Sequence, residues 1–381
     1  MYRKAPETPF TAKEYISAQN FAEHFSFARR LRVASGVAGA ALALTSLGGY
    51  YGIDVASNRD REQSATITLD NRAEPSLLVP NPSAFTVYVD GYGSMNANLF
   101  ADKLGPITSA ITNGPYYSAN FGDAPIDTSL LANEVLSTAQ DTRYEFVSFN
   151  GFSAGGLLTI ETAEKTIQNT NLRVDALFLT SSPSSVESLR PDRIEQLWWL
   201  NTAAKLPGAK YSSAMRWLIS MASDVDQYNT GDPMDFFRVW GENSSEIQRR
   251  AEPGVAQLDD QALAIINADV PESLRTIGNL RGEKQMPVIV YLAAEDPSAD
   301  TSVNTDKAAD DTCSAAAEAG LTCLAYKVPN VVHSVYQLDA TSYAAILEGA
   351  QEEIQAAIAE ERTYYELLNP VNRPSLLSPL Q

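Results

Sequence analysis

The sequence predicts an α/β fold, a mostly parallel sheet covered by helices on both faces, and two observations carry that expectation. Short runs rich in β-branched and aromatic residues recur at 85–89, 144–149, 174–179, 288–292 and 324–328. They are predominantly apolar rather than strictly alternating, as strands buried on both faces are. Most are followed by a segment of helical period, beginning with 96–111, and such alternation of strand and helix is the pattern of a parallel sheet with crossover helices.

The elements divide the chain as follows. Residues 33–53 (VASGVAGAALALTSLGGYYGI) carry no charge, are just long enough to span a bilayer, and follow Arg29, Arg30 and Arg32. They are expected to be a transmembrane anchor or an uncleaved signal, with the tail 1–32 on the cytoplasmic side and the body outside the cytoplasm. A cleaved signal, with Ala41 and Ala43 as small residues for a peptidase and a secreted product, and a buried Ala/Gly-rich helix are the competing readings. Gly48 and Gly52 have the GxxxG spacing, which in so glycine-rich a run is incidental. Residues 54–80 are polar, end in Pro80-Asn81-Pro82, and read as a linker or peripheral first strand. The sheet-bearing core is expected over 81–183 and 281–365. Between them, 184–280 breaks the alternation, is largely helical in pattern, and holds all four tryptophans, Trp198, Trp199, Trp217 and Trp240. It reads as an inserted helical cap, its aromatics divided between a core of its own and the walls of a substrate pocket. Residues 366–381 read as a C-terminal tail.

Composition excludes several functions. The formal net charge of −19 would repel phosphate backbones, so no nucleic-acid partner is expected. With two histidines and two cysteines there is little from which to build a zinc cage, and neither a metal nor a cofactor is indicated. Cys313 and Cys323 flank a helix end, the Gly320 turn and a strand start. A disulfide there suits an exported protein, and two buried thiols are the alternative.

The chemistry centres on Gly151-Phe152-Ser153-Ala154-Gly155, a GxSxG motif placed after an apolar strand and before a helix. That context is what a nucleophile elbow requires, because the serine sits on a tight, strained turn that side chains at the flanking glycines would obstruct. A serine hydroxyl needs a base to take its proton and a third group to fix the base's tautomer. His333 is the sole histidine of the body, on a loop at the C-terminal end of the 324–328 strand, where open α/β sheets place their sites; His24 lies in the tail without catalytic company. For the acid the sequence offers Glu295, Asp296, Asp300 and Asp306. Asp296 is expected: it stands four residues beyond Leu292, and Pro297 biases it toward an extended conformation. Asp300 and Asp306 lie deeper in a polar stretch that would cap the next helix or face solvent.

On these residues the chain resembles the α/β-hydrolase superfamily, with nucleophile, acid and histidine in the order Ser153, Asp296, His333. The resemblance covers about 80–183 and 281–362, and it implies a serine esterase or lipase-like activity through an acyl-enzyme. It also implies an oxyanion hole of two backbone donors, the N–H of Ala154 and one from the loop Asp90-Gly91-Tyr92-Gly93-Ser94, at Tyr92. Many relatives have His-Gly where this chain has Asp90-Gly91, which leaves the side-chain support of that loop open. The expected substrate is a small-molecule or lipid ester. An acyltransferase using the same acyl-enzyme and a non-catalytic binding protein on this fold are the rival readings.

Overall fold

The computed structural model describes 55–60 except 58, 65–73, 82–191 except 92, 93, 95, 123 and 125, then 193, 194 and 197, and 264–370 except 330, 332 and 334–339. The expected anchor at 33–53, most of the expected cap, and Tyr92 lie outside the described residues. Among those described, no helix is long and apolar enough to cross a membrane. The chain divides into two compact units, Glu62–Arg190 with Ala256–Gln381, and Met1–Arg61 with Pro191–Val255. The first carries the sheet and everything described below.

Seven strands form one sheet in that unit. In chain order they are β1 (Thr68–Asn71), β2 (Ala84–Val89), β3 (Tyr116–Asn120), β4 (Phe146–Phe152), β5 (Arg173–Thr180), β6 (Val288–Ala294) and β7 (Cys323–Val328), and their spatial order is β1-β3-β2-β4-β5-β6-β7. Every pairing is parallel except that of β1 with β3. Five of the strands coincide with the apolar runs. The antiparallel edge β1 falls within the stretch expected to be a linker or peripheral strand. β3 (Tyr-Tyr-Ser-Ala-Asn) has no counterpart in the sequence reading, because two of its five residues are polar and its burial comes from neighbours on both sides.

Among the described residues the helices that cover the sheet are α1 (Asn98–Thr112), α2 (Thr128–Thr142), α3 (Ala154–Asn169), α4 (Val270–Gly278), α5 (Thr305–Glu318) and α6 (Thr341–Leu368). α1 and α6 pack on one face of the sheet, where Tyr88, Phe100, Leu104, Phe178, Val290 and Leu347 form a continuous buried cluster. α2 packs on α3, and α4 on both α3 and α5, so they form the layer on the other face. Two faces so covered explain why β2, β4 and β6 are buried at every position. The expected Cys313–Cys323 disulfide is formed and ties α5 to the first residue of β7.

The C-terminal half of α6 is fastened to the end of the sheet remote from the elbow. Asp175 on β5 is almost wholly buried, and both its oxygens accept from the Arg362 guanidinium, Oδ1 from Nε at 2.9 Å. Gln285 Nε2 donates to Oδ1 at 2.8 Å, and the same guanidinium lies 3.7 Å from the centroid of the Phe146 ring. Truncating the arginine would leave a buried carboxylate with only the glutamine amide. We therefore expect Arg362→Ala to lower unfolding free energy by about 3 kcal/mol in urea titrations, whereas cutting the exposed Arg275–Glu272 pair on α4 should cost less than about 0.5 kcal/mol.

Candidate active site

Ser153 sits between β4 and α3 with φ 51° and ψ −125°, a backbone conformation that side-chain-bearing residues rarely adopt. The strain is held by close packing of the first turn of α3. A Cβ at Gly155 would lie 2.3 Å from the Val89 carbonyl oxygen and 2.4 Å from that of Asp90, and one at Gly151 would lie 2.5 Å from Gly156 Cα. Both positions therefore need glycine, as the motif requires. The Ser153 N–H donates to the Thr180 carbonyl at 2.9 Å, and Ser182 Oγ donates to the Ser153 carbonyl at 2.9 Å, so the end of β5 braces the elbow from the side. Tyr291 in turn donates its hydroxyl to the Ser182 carbonyl.

His333 follows β7 on a loop and faces the elbow. Its Nε2 is 2.9 Å from Ser153 Oγ, and its Nδ1 is 3.0 Å from each oxygen of Asp300. With Nδ1–H donating to the carboxylate, Nε2 carries the lone pair that can accept the serine proton. The Phe152 ring lies beside the imidazole at a centroid distance of 5.3 Å.

The acid at the histidine is thus Asp300, and the expectation of Asp296 is corrected. β6 runs two residues beyond Leu292, to Ala294, and the chain then turns at the surface. Asp296 is exposed in that turn, where its Oδ1 accepts from the Ser298 hydroxyl at 2.6 Å and the Ser298 N–H at 2.9 Å. Those bonds, led by the hydroxyl, hold its carboxyl below the ordinary range. Asp300 is fully buried, and its Oδ1 accepts from the N–H groups of Ser302 and Val303 at 2.9 and 2.8 Å. Burial pushes the Asp300 carboxyl up, but the bond and charge of His333 and the two backbone donors outweigh it, and the net displacement is downward.

The segment that fixes Asp300 in place is 188–190. Leu189 bridges Val303 in antiparallel fashion, the Asn304 N–H donates to the Ser188 carbonyl at 2.7 Å, and the Arg190 N–H donates to the Ser302 carbonyl at 2.9 Å. No periodicity in the sequence signals this pairing.

Ala154 is the first residue of α3, so its N–H is among those a helix leaves without an internal acceptor. The loop after β2 is shaped by Asp90, whose Oδ1 accepts the Gly91 N–H at 2.7 Å and whose Oδ2 accepts the Ser94 hydroxyl at 2.8 Å. A Cβ at Gly91 would lie 3.0 Å from Ser153 Cβ, so this loop runs against Ser153. The side-chain support of this loop thus comes from the Asp90 carboxylate.

No protein-family model matches the sequence, and no curated protein matches it. Among solved structures the chain is similar to a carboxylesterase from the thaumarchaeon Nitrososphaera gargenis, with 14% identity, 76% of this chain and 95% of the other covered, and a TM-score of 0.45. It is also similar to an esterase from Exiguobacterium antarcticum (12% identity, 75% and 94% covered, TM-score 0.45) and to a proline iminopeptidase from Mycobacterium smegmatis (15%, 77% and 95%, TM-score 0.40). Likenesses this distant carry no inference about chemistry. On its own sheet order, elbow and covered faces, the chain has a fold of the α/β-hydrolase type.

The lowered pKa of Asp300 has a stability consequence of definite sign. A carboxyl whose folded pKa lies below its unfolded value near 3.8 stabilises the fold above that pH, and the contribution is lost as pH falls through the folded value. Asp300→Asn keeps an oxygen for Ser302 and Val303 but removes the charge. The stability gap between wild type and Asp300→Asn in urea titrations should therefore close as pH drops below about 4.

Proposed function

We propose that this protein is a serine hydrolase that cleaves a carboxylic ester through an acyl-enzyme on Ser153, with His333 as base and Asp300 as the acid that orients it. The observation that carries this reading is the continuous relay at the elbow, with Ser153 Oγ 2.9 Å from His333 Nε2 and His333 Nδ1 3.0 Å from Asp300. Ser153 Oγ attacks the ester carbonyl while Nε2 takes its proton, and the electron pair of the carbonyl moves onto oxygen. That oxyanion is received by the Ala154 N–H and by a second donor from the loop after β2, assigned to Tyr92. The imidazolium then gives its proton to the departing alkoxide as the C–O bond breaks. Water enters, His333 removes its proton, and attack on the acyl-enzyme releases the acid and restores the Ser153 hydroxyl.

The substrate in this reading is an ester with an apolar part, and the body works outside the cytoplasm, anchored through 33–53. Its support is in the sequence: the aromatic and methionine-rich stretch 184–280, and the uncharged run preceded by Arg29, Arg30 and Arg32. Reporter fusions placed after Asp60 should score as exported, and a cytoplasmic signal there would remove the anchor from the proposal. In a chain-length series of p-nitrophenyl esters, octanoate should be turned over better than acetate and butyrate; equal rates would remove the apolar preference.

The reaction itself is tested by a fluorophosphonate probe. Wild type should lose esterase activity as it takes up one probe at Ser153, and Ser153→Ala should neither label nor turn over ester. Retention of both by Ser153→Ala would overturn the proposal.

A further inference from the structure

We infer that Arg190 is a positioning residue for the acid, holding the loop that presents Asp300 to His333 through that loop's backbone carbonyls. This deepens the proposed function and rests on Asp300 being the acid of that site.

The loop 295–304 connects β6 to α5 and has to bring a fully buried carboxylate to the end of the sheet. Its second half is fixed by the backbone pairing of 188–190 with 302–304. Its first half, from the surface turn at Asp296 to Asp300 itself, has no such ladder. Arg190 spans that gap with one planar fork. Nε donates to the Asp300 carbonyl at 3.1 Å, and a terminal nitrogen donates to the Pro297 carbonyl. Two carbonyls three residues apart are thereby held on one rigid group, whose five donors in fixed directions suit the task as a lysine's single rotatable ammonium does not. Because the contacts are to main-chain oxygens, the guanidinium acts on where Asp300 stands. The charge on Asp300 is met by His333 and by the N–H groups of Ser302 and Val303.

Arg190 is also the last residue of the sheet-bearing unit before the chain leaves it at Pro191. The residue that closes this unit is thus the one that grips the acid loop, and the segment 188–190 serves both tasks.

A displaced Asp300 would hold the imidazolium less well, and this separates positioning from mere support of the fold. The groups facing the pair are Ser153 and the Phe152 ring at His333, with the buried hydroxyls of Tyr291 on β6 and Tyr343 on α6 feeling the Asp300 charge. Substitution at 190 changes none of these, but Arg190→Ala also removes a positive charge near the pair, so the charge-keeping Arg190→Lys carries the reading of displacement.

The chain has two histidines, so a His24→Gln background leaves His333 as the only imidazole and its NMR titration can be followed without overlap. In that background Asp300→Asn, whose amide brings no charge to the imidazolium, sets the reference shift for complete loss of the acid. Arg190→Ala should move the midpoint in the same direction by a fraction of that shift. It should also reduce kcat/KM for a p-nitrophenyl ester by about a hundredfold, mainly in kcat, as a displaced catalytic group does. Arg190→Lys, able to reach one carbonyl but not both, should fall between Arg190→Ala and wild type on both readouts. Circular dichroism checks folding, and if Arg190→Ala does not fold, Arg190→Lys and Arg190→Gln read the same quantities. A folded Arg190 variant with the wild-type midpoint would overturn the inference. Retention of esterase activity by Ser153→Ala would instead overturn the proposed function, and the midpoint would still decide the place of Arg190.

Discussion

The arrangement at the end of the sheet depends on one close contact: the first turn of α3 is pressed against the last carbonyls of β2 with no room for a side chain at Gly155. The clearance of 2.3 Å that a Cβ would have from Val89 O is below any real contact, so the helix can start where it does only on a glycine. From that contact follow the positive φ of Ser153, the projection of its hydroxyl away from the sheet, and the placement of the Ala154 N–H beside it. A non-glycine residue at such φ costs on the order of 1–3 kcal/mol, and the strain persists because the surrounding packing over-determines it. Gly91 belongs to the same constraint, since its Cα passes so near Ser153 that the loop after β2 and the elbow are placed together.

The other half of the site is a matter of charge rather than packing. Removing a carboxylate from water costs several kcal/mol, and Asp300 is fully buried. Two backbone N–H groups and the imidazole offset that cost, and they also fix which way the carboxylate faces. The loop that carries it is steadied by a segment more than a hundred residues earlier in the chain, through a backbone ladder and the Arg190 fork. Three connections, after β4, β6 and β7, thus converge at the same C-terminal edge of a parallel sheet, the edge at which open α/β sheets bind and react.

Five strands were legible because strands in a covered parallel sheet carry predominantly apolar runs, even where a polar residue such as Asp175 or Lys327 interrupts them. β3 was not, because Ser118 and Asn120 interrupt its run, and its burial is supplied by β1 and β2 from either side. The pairing of Ser153 with His333 was legible from the elbow motif and from the scarcity of histidine. The acid was placed at Asp296 from proximity to the strand end and the presence of Pro297, which are local criteria. The residue that reaches His333 is set by a tertiary pairing between Leu189 and Val303, and periodicity carries no trace of it. Val303, an apolar residue in a polar stretch three positions after Asp300, is the one local hint that the chain turns inward there.

In the proposed function a buried acid orients the histidine, and that acid is Asp300 although Asp296 lies nearer the strand end. The most direct measurement is kcat for a p-nitrophenyl ester in two parallel variants, Asp300→Asn and Asp296→Asn, each checked for folding. Loss of the orienting charge leaves the imidazole in the wrong tautomer and should lower kcat of Asp300→Asn by about three to four orders of magnitude. Asp296→Asn, altering only a surface turn, should stay within about tenfold of wild type. The reverse pattern, collapse in Asp296→Asn with Asp300→Asn nearly unchanged, would contradict the account.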